Sequence, residues 1–230
     1  MRPVAAGTLH RNDWFPHLYW QNFLAIDSSQ QHSAEALIAE ADRLFGDLSI
    51  RHVLVDDAQL AERLRPGFLE GGYGEASHVT MQLRRPADRQ PPPADLVELS
   101  AAQLRPAVEA YVRAGPRDEE AVCELCRLKE ELGRNGVRFL AALKDAEIAG
   151  WCELRRYETG GQVEDVVVLE PFRGRGLARA LVCGALERLR ADGCDFIFVV
   201  ADDNDTVKDL YRRLGFDDIR RTWSFWSPGP

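Results

Sequence analysis

The stretch VEDVVVLEPFRGRGLARALVCGALERLRADG, Val163 to Gly193, decides the fold. Its opening carries Val163, Val166, Val167, Val168 and Leu169, a β-branched, alternating run that predicts a strand. Pro171-Phe172 breaks the run. Arg173-Gly174-Arg175-Gly176 then leads into a helix carrying Leu177, Leu181, Ala185, Leu186 and Leu189. Gly193 follows that helix, where a left-handed cap is wanted. Strand, Arg-Gly loop and helix N-terminus together build an anion site. Glycines admit a close backbone approach, successive N–H groups point into the loop, and the helix dipole adds about half a positive charge. That geometry suits a pyrophosphate.

Two common pyrophosphate loops do not match. A Walker loop needs Gly-x-x-x-x-Gly-Lys-Ser/Thr, and no Lys stands here; a Rossmann fingerprint needs Gly-x-Gly-x-x-Gly, and position 179 is Arg. The loop reads Arg173-Gly174-Arg175-Gly176-Leu177-Ala178, the pattern Arg/Gln-x-x-Gly-x-Gly/Ala. This resembles the acyl-CoA loop of the GNAT superfamily of N-acetyltransferases. The resemblance implies acetyl-CoA as co-substrate, with Arg173, Gly174, Arg175, Gly176, Leu177 and Ala178 against its pyrophosphate.

The composition fits a soluble globular chain: 230 residues, 45% apolar and 29% charged, leave enough material for a real core. A net charge of −8 argues against general nucleic-acid or anionic-membrane binding and mildly favours a cationic substrate. The N-terminal MRPVAAGTLHRNDW has no apolar core of signal-peptide length, so a cytoplasmic protein is expected. Five cysteines, an odd number, fit free thiols in a reducing compartment. Cys123-x-x-Cys126 lies in a helical pattern with no second Cys/His pair, so it reads as packing on one helix face and no metal is expected.

RPADRQPPPAD, 85–95, reads as a linker, because three consecutive prolines favour an extended conformation. The expected division is therefore 1–84, linker 85–95, and 96–230. After the linker the pattern predicts a strand at 97–99, helices from about Ser100 and over 117–133, and strands at 138–143 and 147–157. The Val163–Gly193 strand and helix follow, then a strand at 196–203, a helix over 205–214 and a strand around 219–226. This is an α/β domain with a mixed central sheet and flanking helices, and its element order is similar to the GNAT fold.

The first piece resembles part of the second. IRHVLVDDAQLAERLRPGFLEGGYGEASHVTMQL (50–83) lies on DFIFVVADDNDTVKDLYRRLGFDDIRRTWSFW (195–226), with Asp56-Asp57 on Asp202-Asp203 and Gly72-Tyr73 on Gly215-Phe216. NFLAID (22–27) and the helical stretch 33–46 match the strand and helix of the deciding stretch. A partial GNAT-like β-α-β-α-β module lacking the early strands is expected. Its loop SSQQHS (28–33) holds neither Gly nor Arg, so the module reads as a degenerate, non-catalytic half. The arrangement is similar to tandem GNAT enzymes.

The resemblance also assigns chemistry. Asn204 through Tyr211 to Gly215-Phe216 is similar to the family signature Asn-x-x-x-x-x-x-Tyr-x-x-x-Gly-Phe. It implies Asn204 at the pantetheine arm and Tyr211 as the acid for the leaving thiolate; a phenol stays protonated at neutral pH and both donates and accepts. Phe68 stands at the matching place in the first half and has no hydroxyl. Glu164-Asp165 precedes Arg173 by the spacing of a Leu-Glu-Asp element in spermidine/spermine acetyltransferases, which implies Glu164 as base. Strand alternation puts Glu164 and Asp165 on opposite faces. The family fold further implies that this strand and 196–201 splay apart, with Val166, Val167 and Val168 pairing to the cofactor through main-chain groups. The expected reaction is direct attack of a primary amine, on a small molecule, amino acid or peptide, upon acetyl-CoA. The alternative is a non-catalytic acyl-CoA-sensing or protein-interaction module. Oligomeric state and the acceptor are open at this point.

Overall fold

Four helices begin where a polar side chain caps them: α1 (Ala34–Phe45) at Ser33, α2 (Ala58–Glu70) at Asp57, α3 (Ala101–Arg113) at Ser100 and α4 (Glu119–Arg134) at Asp118. Each side-chain oxygen accepts from a backbone N–H in the first turn, and Ser100 and Gln103 close a capping box. Helix α5 (Leu177–Ala191) departs from this rule. Its N-cap is Gly176, in the left-handed conformation, with no side-chain hydrogen bond. The last helix, α6 (Val207–Arg213), has seven residues. The computed structural model describes residues 1–29, 31–115 and 118–228.

The chain forms two compact units. The second unit comprises Thr80–Ala201 and Thr206–Ile219. Its strands run in the order β10 (Phe196–Asp202), β9 (Gly160–Val168), β8 (Glu147–Tyr157), β7 (Arg138–Lys144), β6 (Asp95–Leu99). From β6 to β9 the pairs are antiparallel, β6 reaching β7 through α3 and α4 and the later pairs closing as hairpins; β9 and β10 are parallel, joined by the crossover helix α5. Helices α3 and α4 cover one face, where Leu104, Val108, Val112, Val122 and Cys126 bury Phe139, Trp151 and Val167. Helix α5 covers β7, β8 and β9 with Ala180, Leu181 and Ala185 buried. Cys126 is buried there while Cys123 is exposed, so the two do not share one packed face as their spacing suggested.

The first unit holds residues 1–79, Asp202–Asp205 and the chain from Arg220 onward. Strands β1 (Arg2–Val4) and β2 (Gly7–His10) form a hairpin, and β2 pairs antiparallel to β3 (Phe23–Ile26). β3 pairs parallel to β4 (Ile50–Val55) through the crossover α1, and β4 pairs antiparallel to β11 (Phe216–Pro228) from Trp223↔Val55 to Pro228↔Ile50. After α2 the chain enters β5 (Gly74–Leu83). The run β3-α1-β4-α2-β5 therefore repeats the order β9-α5-β10-α6-β11. The β1–β2 hairpin corrects the expectation of a module without early strands. Strands of three and four residues are too short for a period-two pattern to register.

The units also divide the chain differently from the linker boundary. Residues 84–94 carry no regular secondary structure, yet they belong to the second unit. Arg84 and Arg85 N–H donate to the Gly215 carbonyl at 2.9 and 3.0 Å, and Asp88 N–H donates to the Arg213 carbonyl at 2.8 Å. Those bonds hold the segment down. β11 starts in the second unit and ends in the first, because Trp223 to Pro228 find their partners on β4.

Candidate functional site

The loop before α5 is built to leave amides free. Gly174 and Gly176 have φ of 74° and 77°, the left-handed conformation that curls the loop, while the Arg173 N–H before them is taken by the Glu170 carbonyl at 3.2 Å. A Cβ on Gly176 would also lie 2.8 Å from Pro92 Cγ, so the position needs glycine on both counts. The first N–H groups of a helix have no intrahelical acceptor, and here no side chain supplies one. Beside them opens a cleft of about 200 Å³. Val168, Arg173, Gly174, Gly176, Leu177 and Ala178 line it, as expected from the sequence. Arg89, Phe172, Arg179, Leu210 and Arg213 complete the wall and were not anticipated. Among the described residues, four arginines and no carboxylate line this cleft. Arg179 had a visible signal: it is the residue that breaks the Rossmann spacing.

Arg175, expected with the others, is absent from the cleft wall; its guanidinium lies 5.9 Å from the Phe172 ring centroid. Asn204 is exposed in the first unit, where its N–H donates to Asp202 Oδ1 at 2.8 Å.

The parallel ladder between β9 and β10 ends at Gln162↔Phe198, and the strands diverge beyond it. Main-chain groups alternate sides along a strand. Leu169 N–H donates to Ala149 O at 3.0 Å, towards β8, so Val168 N–H turns to the edge that β10 leaves open. The Val168 carbonyl turns the same way and accepts from Arg173 Nε at 3.1 Å. Val166 shares this orientation. Val167 does not: it lies opposite Trp151 on β8, and its side chain is buried under α3 and α4.

Further along β9 the carboxylates depart from simple alternation. The register passes from Trp151↔Val167 to Glu153↔Glu164, so Cys152 opposes two residues, and Asp165 has φ of 49°. This is a β-bulge. It places Glu164 opposite Glu153 and brings the Asp165 carboxylate to Lys129, the partner that Glu153 also binds. Glu164 and Asp165 thus share the face covered by α3 and α4; the expectation of opposite faces fails because it assumed an unbroken pleat.

The cluster is well connected. Lys129 Nζ donates to Asp165 Oδ2 at 2.7 Å and to Glu153 Oε1; Trp151 Nε1 donates to Asp165 Oδ2 at 3.0 Å. Arg155 Nη2 donates to Glu153 Oε2 at 2.5 Å, and Gln162 Nε2 donates to Glu164 Oε2. Burial pushes Glu164 above the ordinary carboxylate value, against the pull of Arg155 and with the repulsion of Glu153. Burial acts on Asp165 too, but the Lys129 charge and hydrogen bonds outweigh it and hold Asp165 low. Adjacent carboxylates are driven apart, so Glu164 is the one poised to take a proton.

Tyr211 sits on α6, buried, with its ring edge-on to Phe216 at 5.9 Å. Leu210 and Arg213 of the same helix line the cleft. Cys152 is fully enclosed, and burial pushes its thiol up, which disfavours the thiolate an acyl carrier would need.

The fold and this cleft define an α/β protein with an arginine-lined cleft at an open helix N-terminus. Residues 99–216, just over half of the chain, match the family model described as "Acetyltransferase (GNAT) family". The chain belongs to that family. Over 70 residues it is 34% identical to "N-alpha-acetyltransferase MAK3" of Arabidopsis thaliana, a match spanning 30% of this chain and 37% of that protein. The structure is similar to a functionally unknown conserved protein from Staphylococcus epidermidis, with TM-score 0.69 and 15% identity, covering 99% of this chain and 96% of that one. It is also similar to a tandem GNAT protein from the clavulanic acid biosynthesis pathway, with TM-score 0.58 and 18% identity, covering 89% and 73%. At these identities the structural matches speak for the fold, a two-module GNAT arrangement. Among the described residues, no helix is long and apolar enough to cross a membrane.

Proposed function

We propose that the chain is an N-acetyltransferase that moves an acetyl group from acetyl-CoA to a primary amine by direct attack. The acceptor is a small molecule or an amino acid or peptide amine. One observation carries this reading: the uncapped N-terminus of α5 opens into an arginine-lined cleft that is continuous with Val168 on the splayed edge of β9.

The residues present fit such a donor. The α5 amides, Arg173 and the Gly174–Gly176 curl would hold its pyrophosphate, and the open N–H groups of Val166 and Val168 would pair with its pantetheine arm. The donor supplies the activated thioester. Val168 N–H is aimed to stabilise negative charge on the acyl oxygen as it develops. Glu164, raised by burial, removes a proton from the amine, directly or through one water. The C–N bond forms as the C–S bond breaks, and Tyr211 O–H protonates the departing thiolate. The amine proton and the phenol proton then exchange through solvent, so the site returns to its starting state.

The test is thiol release from acetyl-CoA against a panel of amines, for the wild type, Tyr211→Phe and Glu164→Gln. Amine-dependent release that both variants lose supports the reading. Acetyl-CoA binding with no amine-dependent release across the panel would favour acyl-CoA sensing instead.

A further inference from the structure

We propose that Arg179 binds a phosphate of the same acyl-CoA and that Asp88, in the segment 84–94, holds it in place. The Pro-rich segment is then part of the cofactor site. This rests on the acetyltransferase reading and adds residues that the family loop pattern does not contain.

Arg179 is 3% exposed, in the first turn of α5. Its Nη1 donates to Asp88 Oδ1 at 2.7 Å and to the Arg89 carbonyl at 3.3 Å. Its Nη2 is closed to solvent and has no acceptor among the described residues. A guanidinium has five donors in a rigid fork, so a buried one with an idle nitrogen is an incomplete arrangement. Arg179 also lines the arginine-walled cleft at the open helix N-terminus, and a rotation of its guanidinium towards a ligand there would give Nη2 the acceptor it lacks. A phosphate matches the fork and the charge of that wall.

The segment is fixed well enough to position this side chain. Its two ends of contact are the Gly215 and Arg213 carbonyls, bonded by Arg84, Arg85 and Asp88 N–H, and Gly176, against which Pro92 packs. Asp88 thus sits on an anchored backbone with its carboxylate on Arg179. Arg89, its neighbour, reaches the cleft wall.

Coenzyme A offers two phosphate sources, the pyrophosphate and the ribose 3′-phosphate. The experiment is calorimetric titration of the full chain with CoA, dephospho-CoA and inorganic pyrophosphate, for the wild type, Arg179→Gln, Arg179→Lys and Asp88→Asn. Arg179→Gln is expected to weaken CoA about tenfold or more, and Arg179→Lys to recover part of the loss. Equal losses with CoA and dephospho-CoA assign the pyrophosphate; a loss confined to CoA assigns the 3′-phosphate. Asp88→Asn separates positioning from charge. Removing a carboxylate near an anion tightens binding if charge alone matters, whereas positioning predicts about threefold weaker binding. If the Arg179 variants do not fold, the exposed Asp88→Asn carries the test alone. Wild-type CoA binding with Arg179→Gln within twofold, or tighter binding by Asp88→Asn, overturns this inference and leaves the acetyltransferase reading standing. No CoA binding by the wild type overturns both.

Discussion

Helices α1 and α5 hold equivalent places in the two units, each the crossover between parallel strands, yet their N-termini are opposites. At α1, Ser33 Oγ accepts from Ala36 N–H at 3.3 Å, and His32 Nε2 meets the Asp27 carbonyl at 2.9 Å. The end is closed by its own side chains. At α5, two left-handed glycines precede a helix without a side-chain cap, and arginines stand around the gap. The same crossover thus ends closed by its own side chains in one unit and open among arginines in the other.

The later elements repeat the contrast. Phe68 on α2 meets Tyr73 at 5.1 Å, and Tyr211 on α6 meets Phe216 at 5.9 Å, so each unit has an aromatic pair at the same spacing. The hydroxyl has changed places. In the second unit it is on the helix, at Tyr211; in the first it is on Tyr73, buried with no hydrogen-bond partner among the described residues and pushed up to about 12 by burial. Phe68 instead stacks on Phe225 at 4.4 Å and serves the core.

Exchanging residues between the units tests this. The largest effect is expected from Tyr211→Phe, which copies Phe68: turnover should fall about 10²- to 10⁴-fold with acetyl-CoA affinity nearly unchanged. Steady-state kinetics beside calorimetry would show the split; a turnover within threefold of wild type would remove Tyr211 from the mechanism.

Next comes the buried polar pair of the first unit. His52 Nε2 lies 2.5 Å from Ser224 Oγ, and burial pushes the imidazole down to about 4 although the Tyr19 carbonyl opposes this. The unfolded chain therefore binds the proton first. His52 contributes its full stability above the ordinary histidine value and loses it as pH falls from about 6.5 towards 4, by about 3 kcal/mol at pH 4. Denaturant unfolding of wild type and His52→Gln between pH 7 and 4 should show the difference shrinking by that amount. A constant difference would mean that folding leaves the proton affinity of His52 unchanged.

Gly176→Ser gives α5 a cap of the kind α1 has. With φ of 77° and Pro92 at 2.8 Å, the serine should distort the curl and fill the amides, weakening acetyl-CoA about 100-fold, or about 2.7 kcal/mol. The smallest effect is expected from Tyr73→Phe, which copies Phe216: removing an unpartnered buried hydroxyl should stabilise the chain by about 1 kcal/mol in denaturant unfolding. Destabilisation would show that the hydroxyl has a role in the first unit.

Much of this was legible in the chain. The Val163–Gly193 stretch forms β9, the Arg-Gly loop and α5 nearly as its pattern reads, because periodicity and glycine placement act locally. The order β3-α1-β4-α2-β5 followed from matching 22–83 to the later elements. What escaped depends on contacts between distant residues. The bulge at Asp165 is set by pairing with β8, so alternation alone put Glu164 on the wrong face relative to its neighbour. Prolines 91–93 read as a spacer, yet Pro92 packs on Gly176 and Asp88 reaches Arg179 across 91 residues. Spacing along a chain does not reveal a contact of that kind.

The most direct test of the central claim is calorimetric titration of the full chain with acetyl-CoA, repeated with Arg173→Glu. One-to-one binding in the micromolar range is expected, lost on charge reversal beside the α5 amides. Equal binding by both proteins would place the site elsewhere, and no binding by the wild type would contradict the account outright.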